Sequence, residues 1–288
     1  MGTEFKMRAS IRALTDYLAT GAAVLSTILV VTPLIAIFVY LLIRGIGSLN
    51  LDFFTKVPAP VGETGGGMAN AIVGSAVLLG MSSIIGIPIG IGAGIYLAEF
   101  GRGTRIANAI RFTADVLNGV PSIVMGLAAF SLVVVPQGHF SALAGGIALG
   151  IMMVPTVCRS SEEMLLMVPH AVREAALGLG VPNWRSVLSI TVRTASPGII
   201  TGCMLAFARV AGETAPLLFT ALGNQFWSTN LNQPIAALPL QIYVYALSPY
   251  DDWHRLAWAG ALVLIVLIVL AVSLVRYVTS RGVLKGAS

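Results

Sequence analysis

The chain has 288 residues, of which 57% are hydrophobic and 10% charged, with a mean hydropathy of +0.89. That balance excludes a soluble globular domain, and the long windows free of charge are the mark of membrane-spanning helices. A net charge of +5 would suit nucleic acid, but the distribution of the charges points to membrane topology and anionic-lipid contact instead.

Taken in chain order, Met1-Gly2-Thr3-Glu4-Phe5-Lys6 ahead of Met7 has the look of a cloning scar, and residues 1–20 read as a cytoplasmic segment. The first apolar run is too long for a signal-peptide core and has no small-residue cleavage site behind it, so no cleavable signal is expected. Apolar runs at about 21–43, 69–98, 116–136, 140–157, 196–221 and 257–276 predict six spans, each near the ~17–25 residues a bilayer helix needs or longer and tilted. The expected fold is all-α and integral to the membrane: six transmembrane helices, both termini cytoplasmic, one domain over 21–276 and a tail at 277–288. With the N-terminus inside, inner segments collect 13 of the 17 Lys and Arg residues, which sets the orientation by the positive-inside rule. The outer stretch around Pro58-Ala59-Pro60 and Gly65-Gly66-Gly67 reads as irregular turns. The apolar stretch Pro234–Leu247 is too short to cross and predicts an external interfacial or re-entrant element. No soluble domain, internal repeat or low-complexity tail is evident.

Apart from Arg276 at the inner edge of the last, the expected spans carry only two charges, Arg209 and Glu213, four residues apart on one helical face. A charge in hydrocarbon costs at least ~2.5–3.5 kcal/mol, so both should face protein or water. Two readings stand: a neutralised pair that pins neighbouring helices, or a substrate path in which Arg209 attracts an oxyanion through its paired N–H donors and Glu213 orients or limits it. Thr214 follows directly and belongs to the same candidate path. Gly86, Gly90 and Gly94 recur every four residues, the small-xxx-small pattern of close helix packing. A nucleotide-binding reading of the glycines fails, because no strand precedes them. Pro121 predicts an interruption near the inner end of the third span. Either Ser122 caps a restarted helix whose N–H groups face an anion, or neighbouring helices heal a simple kink. Pro169 and Gly180 bracket a short inner helix over about 170–179. Glu162, Glu163 and Arg159 read as solvated charge beside it. Cys158 and Cys203 suggest no disulfide, and His139, His170 and His254 have no metal-ligand spacing, so neither a metal site nor a catalytic residue is expected.

The inner segment Arg173-Glu174-Ala175-Ala176-Leu177-Gly178-Leu179-Gly180, with Ile190 beyond it, carries the spacing E-A-A-x3-G-x9-I. It resembles the EAA loop of ATP-binding-cassette (ABC) importer permeases, departing from it where Val192-Arg193 stands in place of the usual Leu-Pro. Ala208-Arg209-Val210-Ala211-Gly212-Glu213-Thr214-Ala215-Pro216 is similar to the AR-x-x-GETAP segment of phosphate-specific transport (Pst) permeases. Asn118–Leu127, Ile89–Phe100 and Ser196-Pro197-Gly198-Ile199-Ile200 are similar to further stretches of the same family. The likeness covers most of residues 65–220, and its order and spacing fit the A-type subunit better than the C-type.

This resemblance implies the type I ABC importer permease fold in the inner (plasma) membrane of a prokaryote. It implies a non-catalytic membrane subunit that forms half the path of an ATP-driven inorganic phosphate importer. The loop at 158–195 would dock the ATPase through Glu174, Ala175, Ala176 and Gly180. The implied partners are a homologous permease (PstC-like), an ATPase dimer (PstB-like), an external phosphate-binding protein (PstS-like) and membrane lipid, with no nucleic acid. No cofactor is expected in this chain, which lacks the Gly-x4-Gly-Lys-Ser/Thr loop; ATP would be bound by the ATPase. Another oxyanion, molybdate or sulfate, is the runner-up substrate. An ion-coupled secondary transporter would be supported by inverted repeats, and none is seen. An intramembrane hydrolase ranks last, for want of a histidine or a pair of acids within a span.

Overall fold

The computed structural model describes residues 2–60, 62–63 and 65–285, and the side chains of 15–60, 62–63 and 65–279. Residue 1, residues 286–288 of the tail and the side chains of 2–14 lie outside what is described, and the cloning-scar reading of residues 1–6 falls on them. Apart from one isolated bridge between Leu222 and Ile235, the described backbone is helix, turn and irregular chain.

Three helices start where a polar side chain takes up an orphaned N–H. Asn50 caps α2 (Leu51–Thr55) by accepting from the Phe53 N–H at 2.8 Å, and Thr104 caps α4 (Arg105–Gly119) by accepting from Ala107. Ser141 does the same for α6 (Ala142–Leu166). α1 (Gly2–Ile46) precedes them and α3 (Ala69–Phe100) lies between α2 and α4; the last turn of α3, Tyr96–Phe100, is π-helical. α5 (Ser122–Gln137) follows α4 after a break at Pro121, and α7 (His170–Gly178) follows α6. Then come α8 (Asn183–Ala211), α9 (Ala215–Thr220), α10 (Leu238–Ala246) and α11 (Asp251–Lys285).

Five helices are long and apolar enough to cross a membrane: α1 from Thr15, α3, α6, α8, and α11 as far as Thr279. The sixth crossing is a broken one. α4 and α5 meet at 109°, so the span expected at 116–136 is two helices rather than one. Near the break, Thr156 of α6 donates to Asn118 at 3.0 Å, whereas the far end of α5 touches the start of α6, where Ser141 donates to Gln137. Fifteen residues of α6 separate these contacts, about 22 Å at ~1.5 Å per residue, so α5 climbs most of the hydrocarbon layer. α4 lies obliquely beneath it at the inner end. Pro121 causes the break by its missing N–H and fixed φ. Its own carbonyl accepts from Val124, and the Ser122 side chain makes no capping bond, which removes the expected capping role.

Other boundaries also move. The fourth span runs on through a buried Pro155 to Leu166, and the fifth begins at Asn183, so the inner connection expected at 158–195 is only 167–182. The fifth span ends at Ala211 and not at 221: Gly212 closes the helix, and α9 restarts with Pro216 in its first turn. α10, within the external apolar stretch, is largely buried. Its Tyr245 stacks on Trp253 of α11 with centroids 4.5 Å apart.

The core is built on α3 against α6. A Cβ on Gly86 would sit 2.7 Å from the Met153 Cβ, on Gly90 2.6 Å from the Val157 Cβ, and on Gly94 2.6 Å from the Ser161 Cβ. α6 answers with glycines of its own, Gly146 against Met81 and Gly150 against Ile85. Backbones this close gain dispersion contacts where lipid offers no hydrophobic drive. By contrast, α1 leans on α11 only near its outer end, through Gly45 against Leu262 and Tyr40 edge-on to Trp258.

Gly90→Leu should therefore destabilise the folded chain by at least the ~1–3 kcal/mol of an overpacked site. Gly92→Leu, on the open side of α3 with nothing within 4 Å, should leave thermal unfolding in detergent unchanged.

Candidate functional site

Two groups of residues bear on function, one around the break between α8 and α9 and one at the inner face. Arg209 occupies the last turn of α8. Val210, Ala206 and Cys203 turn into the core, which leaves Arg209 exposed on a face shared with Thr201, Leu205 and Gly212. Glu213 is half-buried beyond the helix end, and its N–H donates to the Val210 carbonyl. Among the described residues, neither side chain has a hydrogen-bond or ion-pair partner, so the mutual pairing expected from their spacing does not form. The reason is local: Gly212 ends the α-helix between them, and four residues no longer make one face.

The break also gathers the other candidates. A Cβ on Gly126 of α5 would lie 2.7 Å from the Pro216 Cα of α9, so these two helices abut. Ser122 is one turn before Gly126, and Thr214 two residues before Pro216. Both helices run outward, as the hydrogen bond from the Ser141 N–H to the Thr220 carbonyl shows for α9. Ser122 and Thr214 therefore both lie just inward of the α5–α9 contact, with Glu213 next to Thr214 in the chain and the unpartnered Arg209 one turn earlier.

At the inner face, α7 ends in a Schellman closure. Gly180 stands at φ +79° with its N–H on the Leu177 carbonyl, and the Val181 N–H reaches back to the Ala176 carbonyl. Glu174, Ala175 and Gly180 are exposed; Ala176 is buried against its own chain. Leu179 is 85% exposed, and Met167, Leu177 and Trp184 stand out with it, an apolar patch on a polar surface.

Behind this surface, the expectation that Glu162 and Arg159 are solvated fails, and the sequence offered no reading of the pairing of Glu99, Asp115 and Arg111. Glu162, 2% exposed, is not solvated: it accepts from the Arg111 Nε at 2.6 Å and from the Arg159 Nη1 at 2.8 Å. Arg159 also meets Asp115 at 3.0 Å, and Arg111 donates to the Leu97 carbonyl. Arg173 of α7 holds Glu99 of α3 at 2.6 Å. These charges lie in helices that run past the apolar windows. The signal was there: Glu99, Asp115 and Glu162 sit among the inner arginines, and a buried carboxylate needs such partners. Among the described residues no three or more of His, Cys, Asp and Glu come together as a metal set, and both cysteines are free and buried.

The profile described as "Binding-protein-dependent transport system inner membrane component" matches residues 86–282. The chain is 49% identical over 238 residues to the phosphate transport system permease protein PstA of Yersinia pestis, covering 83% of this chain and 81% of that one. It is 46% identical over 275 residues to the same-named protein of Haemophilus influenzae, covering 95% and 96%. A probable PstA of Methanocaldococcus jannaschii is 34% identical over 252 residues, covering 87% and 89%. Among solved structures, an inward-facing MetNI methionine ABC transporter chain superposes with a TM-score of 0.56 at 20% identity, covering 76% of this chain and 96% of that one. A chain of an amino acid ABC transporter crystallised with histidines gives 0.54 at 16%, covering 75% and 92%. These last two identities speak to fold alone, and the fold is that of ABC transporter permeases.

Glu162→Gln removes the charge that two arginines share. Both keep about a third of their side chain in solvent (27% and 32%). The expected loss of stability is therefore about 1–3 kcal/mol, below the ~3–5 kcal/mol of a fully enclosed pair, and it should appear as a lower midpoint in thermal unfolding of the purified protein.

Proposed function

The chain belongs to the inner membrane components of binding-protein-dependent transport systems, and on that premise we propose that it is the A-type permease subunit of an ATP-driven inorganic phosphate importer. It forms half of the translocation path; a homologous permease (PstC-like) supplies the other half. A PstS-like protein delivers phosphate from outside and a PstB-like ATPase dimer works from inside. Identity of 46–49% to phosphate permeases over most of the chain supports the substrate.

The observation that carries the path is Arg209, exposed and without a partner among the described residues, at a break in a membrane-spanning helix. Such a group needs water, a partner subunit or an anion to be tolerated, and its planar donors suit a tetrahedral oxyanion. Glu213, half-buried close by, supplies a counter-charge that limits how long the anion stays, while Thr214 and Ser122 offer hydroxyls just inward of the α5–α9 contact. ATP is bound and hydrolysed by the ATPase, which seats on α7. Glu174, Ala175 and Gly180 make its polar and close contacts, and Leu177 and Leu179 its apolar ones; Ala176 fixes the helix from behind. Closure of the ATPase then exchanges inward- and outward-facing states, each favoured by a different ligand.

ATP-dependent uptake of labelled phosphate into vesicles tests this. Uptake should require this chain together with its permease partner, ATPase and binding protein. Arg209→Gln should lower it by at least about tenfold, the worth of a lost charge-assisted hydrogen-bond pair, with assembly of the complex intact. Normal uptake by that variant would remove Arg209 from the path. Gradient-driven uptake by this chain alone would overturn the whole reading.

A further inference from the structure

We propose that Glu99 and Arg173 are a positioning pair that makes α7 and the inner ends of α3 and α6 move as one rigid body, so that a push on α7 is delivered to the spans and not absorbed by the loops beside it. The inference rests on the reading of α7 as the ATPase-docking helix.

α7 is a short helix hung between two short connections, 167–169 and 179–182. Its apolar anchorage is slight: Ala176 is the only buried side chain in it, with Val172 packed partly against the main core. α7 also packs against the first turns of α8, and its side-chain polar hold on α3 and α6 is one guanidinium. The Arg173 Nε lies 3.1 and 3.2 Å from the two Glu99 carboxylate oxygens, and Nη2 donates to Oε1 at 2.6 Å. Nη2 also donates to the Leu165 carbonyl at 2.7 Å, and Nη1 donates to the Val168 carbonyl. Leu165 and Val168 lie at the C-terminal end of α6, where helix carbonyls are left without intrahelical donors. One side chain thus joins three helices.

The side chains of the pair are only 12% and 7% exposed. An ion pair so enclosed is a poor source of net stability, because desolvation offsets its attraction. What it supplies is direction: a bidentate fork with two further carbonyl bonds fixes both distance and angle, which an apolar contact of the same size does not. Lysine has three N–H donors on a single nitrogen, and so cannot reproduce a fork whose Nε, Nη1 and Nη2 reach separate acceptors.

The test uses the complete transporter in lipid nanodiscs, with nitroxide labels at Gly92→Cys, in open space on α3, and His170→Cys, exposed on α7. The native cysteines are buried and stay out of the labelling. In wild type, ATP should leave the distance between the labels unchanged; in Glu99→Gln and Arg173→Lys it should shift. Both variants should hydrolyse ATP within about threefold of wild type while phosphate carried per ATP falls about tenfold or more, a loss of coupling and not of folding. A wild-type distance that shifts with ATP, or variants indistinguishable from wild type in distance and coupling, overturns the proposal. A wild-type complex that hydrolyses ATP but imports no phosphate would sink the substrate reading alone, since the label distance still decides the pair.

Discussion

The close approach of α3 and α6 is the constraint on which the rest of the molecule depends. In hydrocarbon, two helices gain little from hiding apolar surface, so they associate by contact and backbone proximity. Glycine on both faces permits this and also sets the register. Gly94 lies against Ser161, Cys158 and Glu162, and this contact puts the buried carboxylate under the end of α3, where Arg111 reaches both Glu162 and the Leu97 carbonyl. A slip of one residue along α6 would rotate Glu162 by about 100° and leave a carboxylate without donors. Packing and electrostatics at the inner end are therefore one constraint expressed twice.

Charge is handled in opposite ways at the two levels of the bundle. At the inner end the acids Glu99, Asp115 and Glu162 have arginine partners, drawn from α4, α6 and α7. At the end of α8, Arg209 and Glu213 stand four residues apart and still do not meet. The chain thus satisfies its carboxylates at one level and leaves a guanidinium uncommitted at the other, which keeps the charges that join helices apart from the one proposed to meet phosphate. Gly212 makes the separation by ending the helix between the two.

Much of this was legible in the sequence. The number, order and orientation of the crossings follow from apolar windows and the placement of arginine, the glycine stripe from its four-residue period, and α7 from Pro169 and Gly180. Helix ends were less legible, because hydropathy reports where lipid begins and not where hydrogen bonding stops; α6 and α8 both continue into charged sequence. The ion pairs were hidden for a different reason. Arg111 and Glu162 are 51 residues apart and Glu99 and Arg173 are 74 apart, so only tertiary register brings them together. The expected pairing of Arg209 with Glu213 failed where local periodicity was carried across a glycine that breaks it.

The unpartnered Arg209 also bears on the biogenesis of the subunit. A single copy released from the insertion machinery would present that guanidinium to acyl chains, at a cost of at least ~2.5–3.5 kcal/mol unless water or a snorkelling tilt relieves it. A companion subunit of the kind proposed above, seated on that face, would remove this cost, so the position of one arginine makes assembly and not insertion the step that completes the bundle.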